Sequence, residues 1–293
     1  MTESGMTSDQ HIAMIGCGNI GAALACCWRD SGRHVTVWGR TRSKVEAIAG
    51  DGISIADSAQ AAVEAAPVVI VSVSTYADAE GALRGVNIDG KTVINLTTGS
   101  PTSATTLDTD LRARGARYAD GALIAYPQFI GTDSAQIMLA GPSSLWEAHS
   151  ALLLTAAGGS RHVGESVTSA NVLDVAVVGA FYTSAITAFV ESAAYVADHG
   201  IEPSVLIDTV TPLLSILAPT VEGLAVAVAT GDFTTDQATL SVYDDAAAAW
   251  VGAIRAHGHR ASMLGTASEL LASARSAGYG NLSIGATAHL AKA

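Results

Sequence analysis

The sequence contains 293 residues, more than one compact core of ordinary size, which indicates two domains. Hydrophobic residues make up 49% of the chain and charged residues only 14%, with a mean hydropathy of +0.36. Because so little charge is available to cover a monomer surface, we expect a homodimer. The formal net charge of −12 argues against nucleic acids and anionic membranes as partners.

The cysteines and the apolar segments bear on the compartment. Cys17, Cys26 and Cys27 have neither the number nor the spacing of a disulfide framework or a zinc site. Residues 1–10 are polar and lack the apolar region of a signal peptide. The longest apolar run, 175–190, is interrupted by polar side chains and is short for a membrane span. We therefore expect a cytoplasmic protein that does not bind membranes.

The first βαβ unit carries a glycine-rich turn. An apolar strand at 11–15 is followed at once by Gly-Cys-Gly-Asn-Ile-Gly at 16–21, then by a helical run and a second strand at 34–38. In this setting the glycines permit a tight turn, a close approach of pyrophosphate to the backbone and close packing of helix on strand. Free N–H groups at the helix start face the phosphates. The pattern predicts dinucleotide binding by Gly16, Cys17, Gly18, Asn19 and Ile20.

The end of the second strand indicates which dinucleotide is bound. An NAD site normally has an acidic residue there, which holds the ribose 2′-hydroxyl. This chain instead has Arg40, Thr41, Arg42 and Lys44. Guanidinium groups bind phosphate through two parallel hydrogen bonds, and the local excess of positive charge opposes the acidic character of the whole chain. The sequence therefore predicts NADP(H), with these residues around the 2′-phosphate.

Two later strands end in polar residues. The strand at 67–73 ends at Val73 and Ser74, and the next strand supplies Asn95 and Thr97. The carboxyl ends of strands form the ligand crevice in open α/β sheets, so we expect all four residues near the cofactor. For Asn95 and Thr97, each taken singly, a turn or capping role is an equally good interpretation.

From residue 168 onward, strand-like runs are absent. Residues 169–198 contain no proline and one internal glycine, which predicts a single helix of about 30 residues and about 45 Å. This helix is apolar nearly all round, which predicts burial on every side. Further helices are predicted at 203–229, 236–256 and 261–276. The predicted fold class is α/β, with a nucleotide-binding domain at 1–165, a long interdomain helix and an all-α domain at 166–293.

Several segments carry a family resemblance. They are 16–21, 37–44 (VWGRTRSK), 93–101 (VINLTTGSP), 120–132 (DGALIAYPQFIGT), 171–182 (NVLDVAVVGAFY) and, more weakly, 276–290. The chain resembles the NADPH-dependent imine reductases and reductive aminases, within the wider group of β-hydroxyacid and 6-phosphogluconate dehydrogenases. The resemblance implies a Rossmann domain, a domain-swapped dimer with active sites between the subunits, and hydride transfer from NADPH to the carbon of an imine, giving an amine.

The resemblance makes Asn171 the decisive position. Similar β-hydroxyacid dehydrogenases carry a catalytic lysine there, but the lysines of this chain are Lys44, Lys91 and Lys292. Alcohol oxidation of that type therefore lacks its acid/base group, whereas a protonated imine already accepts hydride. We expect Asn171 to orient the substrate or the nicotinamide amide. We expect Asp174 to cap or pair inside the helical region rather than to react.

The proton donor is less well marked in the sequence. Many imine reductases carry Asp or Tyr as the proposed donor at the position of Gly179, and glycine cannot donate. Tyr182 lies eleven residues after Asn171, on nearly the same face of a helix at about 100° per residue. Tyr126 and Tyr243 are further candidates, although for each of the three tyrosines a core or pocket position is the favoured interpretation.

Two alternative functions stay open at this stage. One is a β-hydroxyacid dehydrogenase-like enzyme that reduces a carbonyl group without lysine. The other is a non-catalytic NADP(H)-binding homologue in which Gly179 marks lost activity. The eight histidines have no metal-ligand spacing, so we expect no metal site.

Overall fold

The computed structural model describes residues 10–292. It divides the chain into two compact units, Met1–Ala180 and Phe181–Ala293. Residues 1–9, on which most of the signal-peptide argument depends, lie outside the described residues.

The first unit is built on a sheet of eight strands. The strands are β1 (His11–Ile15), β2 (His34–Trp38), β3 (Ile53–Ile55), β4 (Val68–Val71), β5 (Thr92–Asn95), β6 (Arg117–Ile124), β7 (Gln136–Ala140) and β8 (Arg161–Gly164). Their order across the sheet is β3-β2-β1-β4-β5-β6-β7-β8, and only β6 and β7 pair antiparallel. The predicted Rossmann domain is confirmed.

Helices cover both faces of this sheet. They are α1 (Asn19–Asp30), α2 (Arg42–Glu46), α3 (Ala59–Ala65), α4 (Tyr76–Leu83), α5 (Pro101–Ala113) and α6 (Ser143–Ala156). Side chains of α1 and α6, such as Trp28 and Leu152, form the core on one face. Side chains of α3, α4 and α5, such as Leu83 and Leu107, form the core on the other. Because both faces are covered, the central strands are continuous apolar runs.

A continuous helix of 31 residues follows the sheet, Thr168–Asp198, and we call it the long helix. It consists of α7 (Thr168–Leu173), a π-helical stretch at Asp174–Tyr182 and α8 (Thr183–Asp198). The predicted single helix is confirmed, and the π-helical stretch was not predicted. Stretches of this kind often occur at functional sites.

The second unit is helical, as predicted. After α8 come α9 (Pro203–Thr230), α10 (Leu240–Ala256) and α11 (Ser262–Ala274). The predicted start of α10 at residue 236 is wrong, because Thr239 has an extended backbone and the helix begins after it. Phe233, Leu240 and Leu271 belong to a small core in this unit.

The predicted burial of the long helix on every side is wrong for the single chain. In α8 and α9 no residue is buried, and Val190 and Ile216 are 65% and 62% exposed. The expectation that this segment is too short for a membrane span is also wrong, since the long helix and α9 both meet that criterion by length and composition. Core helices of soluble proteins meet the same criterion. Residues 10–292 of the single chain leave these faces uncovered.

Candidate active site

A cleft opens at the carboxyl ends of β1, β2 and β4. The predicted cofactor residues that line it are Gly16, Cys17, Gly18, Asn19, Ile20, Arg40, Thr41, Lys44, Val73 and Ser74. The cleft is therefore lined by the glycine turn, by part of residues 40–44, which we call the basic segment, and by the end of β4. Arg42, Asn95 and Thr97 do not line it.

The glycines of the turn have the geometry of a dinucleotide cradle. Gly16 has φ +108°, and a Cβ there would lie 2.0 Å from the carbonyl oxygen of Ser72. A Cβ on Gly21 would lie 2.4 Å from the carbonyl oxygen of Gly16. A Cβ on Gly18 would meet no atom within 4 Å, so a larger residue there would occupy space at the cleft wall. No side chain caps α1, which leaves its first N–H groups available to phosphate.

The basic segment divides into two parts. Arg40, Thr41 and Lys44 line the cleft, where Arg40 Nη1 lies 2.6 Å from Asp78 Oδ1. Arg42 is bound by two other carboxylates, at 3.0 Å from Glu46 and 2.9 Å from Asp57. Arg42 begins α2, and the helical turn directs its side chain to these partners. The members of this segment that line the cleft are therefore Arg40, Thr41 and Lys44.

A buried polar cluster links β5, β6, α4 and α7. Its members are Asp120, Tyr76, Tyr118, Asn95 and Asn171, and we call it the Asp120 cluster. The Tyr76 hydroxyl lies 2.9 Å and 2.8 Å from the two carboxylate oxygens of Asp120. Tyr118 donates to Asp120 Oδ2, and the Asn95 amide nitrogen lies 3.5 Å from the same oxygen. Asn171 Nδ2 donates to Asp120 Oδ1 at 3.1 Å.

The Asp120 cluster fixes both asparagines predicted for the site. Asn171 is also 3.2 Å, through its Oδ1, from the Tyr76 hydroxyl, so both ends of its amide have partners. Asn95 accepts a hydrogen bond from the Thr97 N–H at 3.3 Å, and Thr97 Oγ1 accepts one from the Val73 N–H at 3.3 Å. Thr97 thus links the segments that follow β4 and β5, which is the turn role that the sequence left open for it.

The electrostatics of the cluster follow from burial. Burial raises the pKa of Asp120 to about 6, although the hydrogen bonds from Tyr118, Tyr76, Asn95 and Asn171 lower it. Burial, and then the charge of Asp120, raise the pKa values of Tyr76 and Tyr118, so both hydroxyls stay protonated and donate. The cluster is therefore a carboxylate solvated by neutral donors rather than an ion pair.

Sequence reasoning missed Asp120, although a signal was present. Asp120 is a single carboxylate inside the buried run of β6, where an unpaired charge is costly. The strand register places it opposite Asn95 on β5. A polar residue within a buried strand, next to a polar residue on the neighbouring strand, predicts a pair of this kind.

Asp174 also differs from its predicted role. It is buried at the start of the π-helical stretch, and burial raises its pKa. Across residues 10–292, its carboxylate has neither an ion pair nor a side-chain hydrogen bond, so the expected capping or pairing is not observed. Gly179 follows in the same stretch, and a Cβ there would meet only the carbonyl oxygen of Asp174, at 3.8 Å.

The candidate tyrosines lie in three different segments of the chain. Tyr126 follows β6 in the first unit, is exposed, and does not line the cleft. Tyr182 ends the π-helical stretch, and Tyr243 lies on α10. Both belong to the second unit and are exposed in the single chain. Their catalytic roles stay predictions.

Protein families match both parts of the chain. The NAD binding domain of 6-phosphogluconate dehydrogenase matches residues 11–164, which is more than half of the chain. The C-terminal domain of NADPH-dependent reductive aminase-like proteins matches residues 167–293.

Individual relatives match most of the chain, and solved structures match nearly all of it. An NADPH-dependent reductive aminase of Aspergillus oryzae is 28% identical over 242 residues, 80% of each chain. The structure of a reductive aminase from Aspergillus terreus, in complex with NADPH4, cyclohexanone and allyl amine, superposes with a TM-score of 0.89 at 26% identity, covering 98% of this chain and 100% of that one. An imine reductase from Myxococcus stipitatus, in complex with NADP⁺, gives a TM-score of 0.85 at 28% identity, covering 96% and 100%.

The cleft, the sheet topology and these matches agree on one family and one cofactor. The glycine cradle and the three cleft residues Arg40, Thr41 and Lys44 suit a phosphorylated dinucleotide, and NADP(H) is the cofactor. The chain belongs to the imine reductase and reductive aminase family of NADPH-dependent oxidoreductases, with a nucleotide-binding domain of the 6-phosphogluconate dehydrogenase type.

Proposed function

We propose that this enzyme transfers hydride from NADPH to the C=N carbon of cyclic imines or iminium ions, giving amines. The observation that carries the proposal is the setting of Asn171. Where similar alcohol dehydrogenases use a lysine, this chain has a buried amide held at both ends by Asp120 and Tyr76. An amide cannot take a proton from an alcohol, but it can orient a substrate that arrives already protonated.

The residues of the site contribute placement more than proton transfer. NADPH supplies the hydride when it is bound. Asp120 and Tyr76 fix the Asn171 amide, and the strand register fixes Asn95 beside Asp120. Preorganised groups of this kind lower the entropic cost of aligning two reactants. An imine that enters already protonated needs no acid, whereas one that enters neutral needs a single positioned proton donor.

A substrate panel tests this function. NADPH consumption is followed with several cyclic imines and, in parallel, with several keto acids. We expect turnover of at least one imine and none of the keto acids at a comparable rate. Rapid reduction of keto acids with no imine reduction would favour the carbonyl reductase alternative. NADPH binding without any turnover would favour the non-catalytic alternative.

The basic segment gives a prediction with a matched control inside the chain. Replacing Arg40 and Lys44 together by glutamine should weaken NADPH binding by about tenfold or more and leave NADH within about twofold, because only NADPH carries the 2′-phosphate. Arg42→Gln removes a nearby arginine that is bound by Glu46 and Asp57 outside the cleft, and should change neither affinity. Cofactor affinities are measured by titration of each purified variant without substrate. Equal losses for NADPH and NADH would contradict the assignment.

We also propose that the enzyme is a domain-swapped homodimer. The support is the pair of apolar helices, α8 within the long helix and α9, in which no residue is buried by the part of the chain that the structure describes. A second copy would cover these faces, and its long helix would complete the substrate side of the cleft. A functional boundary near 165/166 accords with this arrangement, since the long helix then belongs to the dimerisation domain. The free thiols of Cys17, Cys26 and Cys27 support a cytoplasmic location.

Sedimentation tests the dimer. We expect a dimer at micromolar concentration without detergent. Val190→Glu combined with Ile216→Glu should raise the dissociation constant by about 100-fold or more, because a carboxylate in an apolar interface costs several kcal/mol. Thr102→Glu adds one such charge to an exposed position of the first unit and should leave the dimer intact. A folded native monomer would refute the proposal, and a need for detergent would favour a membrane as the cover.

A further inference from the structure

Arg40 and Asp78 form an ion pair across the cofactor cleft. Arg40 Nη1 lies 2.6 Å from Asp78 Oδ1, and both residues line the cleft. Arg40 follows β2, whereas Asp78 lies in the first turn of α4, which follows β4. In the sheet, β2 and β4 flank β1 on opposite sides. The ion pair therefore joins the two walls on either side of the glycine turn that follows β1.

Asp78 is the fixed partner of this pair. Its Oδ2 accepts a hydrogen bond from the Thr75 hydroxyl at 2.9 Å, and its N–H donates to Thr75 Oγ1 at 3.1 Å. The second of these bonds is the N-cap bond of the helix start, and the first holds the carboxylate beside it. The Asp78 side chain is 21% exposed, and that of Arg40 is 71% exposed. A change of partner therefore involves movement of Arg40.

We propose that Asp78 is a cofactor-specificity residue, which competes with the 2′-phosphate of NADPH for the Arg40 guanidinium. NADH has no phosphate to take over this arginine, so it gains nothing from displacing Asp78. The Asp78 carboxylate on the cleft wall also repels the phosphate. Both effects weaken NADPH binding relative to NADH, so Asp78 limits the preference that Arg40 and Lys44 create.

The expected size of the effect is modest and depends on salt. Exposed ion pairs are weak, which sets the gain in NADPH affinity on removal of Asp78 at about threefold to fivefold. Screening shortens the range of the interaction as ionic strength rises, so the gain should shrink towards unity in concentrated salt. The proposal depends on NADP(H) binding and not on imine chemistry, and it is tested without substrate.

The experiment compares Asp78→Asn with Asp57→Asn by titration with NADPH and NADH at low and high salt. Asparagine at 78 keeps an oxygen for the Thr75 hydroxyl and removes the charge. Asp57 pairs with Arg42 outside the cleft and is 92% exposed, so its substitution removes the same charge from a neighbouring ion pair. We expect Asp78→Asn to tighten NADPH binding threefold to fivefold at low salt, with NADH within twofold. Asp57→Asn should leave both affinities unchanged.

A double-mutant cycle tests whether Asp78 acts through Arg40. In an Arg40→Gln background, Asp78→Asn should lose most of its effect on NADPH. An undiminished gain in that background would overturn the competition for the guanidinium. Weaker NADPH binding by Asp78→Asn, equal changes for both cofactors, or an equal effect of Asp57→Asn would overturn the proposal as a whole. Should Asp78→Asn lower the melting temperature, Asp78→Ser provides the same measurement with a residue suited to a helix start. Arg40→Gln alone tests the premise that Arg40 binds the 2′-phosphate. Unchanged NADPH affinity in that variant would contradict this premise, and not only the competition by Asp78.

Discussion

Replacing Asp120 by leucine should lower the free energy of unfolding by about 3–5 kcal/mol. The carboxylate accepts hydrogen bonds from Tyr76, Tyr118, Asn95 and Asn171, all of which are buried. Leucine cannot accept any of them, and each buried donor that loses its acceptor costs about 1–3 kcal/mol. This is one of the largest effects that a single substitution is expected to have in the first unit.

Urea denaturation followed by tryptophan fluorescence measures this loss, since Trp28 is fully buried in the core of the same unit. Asp57→Leu is the control. Asp57 is exposed, and its replacement should change stability by no more than about 0.5 kcal/mol. A loss below about 1 kcal/mol for Asp120→Leu would contradict the hydrogen-bond pattern of the Asp120 cluster.

The same site predicts a pH dependence whose sign follows from burial. The pKa of Asp120 rises from 3.8 to about 6 in the folded chain. Between these values the unfolded chain loses its proton while the folded chain keeps it, so rising pH favours the unfolded state and the native enzyme loses stability. Well above pH 6 both states have lost the proton, and the loss no longer grows. Asparagine does not titrate, so the stability of the native enzyme relative to Asp120→Asn should fall by about 2.4 kcal/mol from pH 4 to pH 7. A difference that stays constant with pH would contradict the raised pKa.

The cofactor cleft could be predicted in large part because its signals are local. The glycine turn, the strand before it and the helix after it lie within about 20 consecutive residues. A Cβ on Gly16 or Gly21 would clash with nearby backbone atoms, so the sequence alone marks these positions. Arg42 shows where local reasoning ends. It lies between Arg40 and Lys44 in the sequence and carries the same charge, so the sequence does not distinguish the three. In the structure Arg42 begins α2, and its side chain pairs with Glu46 and Asp57.

The Asp120 cluster could not be assembled from the sequence. Asn171 is 51 residues from Asp120 and 95 from Tyr76 along the chain, and only the sheet register and the packing of α7 bring the three together. The long helix illustrates a different limit. Its length followed from the absence of helix breakers, whereas its burial depends on neighbours that the single chain does not supply.

Replacing Asp174 by asparagine should lower kcat for a cyclic imine by about 100-fold or more. Asp174 is buried three residues after Asn171, and burial raises its pKa, so the carboxyl keeps a proton to higher pH than an exposed aspartate. A positioned proton donor typically contributes a factor of about 10²–10⁴. Since the acid form donates, kcat of the native enzyme should fall as pH rises through the raised pKa. In the Asp174→Asn variant, kcat should no longer fall with pH in this range.

The candidate tyrosines provide the comparison that decides the donor. Tyr182→Phe, Tyr126→Phe and Tyr243→Phe each remove one hydroxyl and keep the ring, so a loss below about tenfold is expected for each if Asp174 is the acid. Asp57→Asn controls for the loss of one negative charge. A 100-fold loss at one tyrosine, with little change at Asp174, would transfer the role to that residue. Small effects at all four positions would mean that the substrate enters as an iminium ion and that water completes the proton balance, because a protonated C=N bond accepts hydride without a side-chain acid.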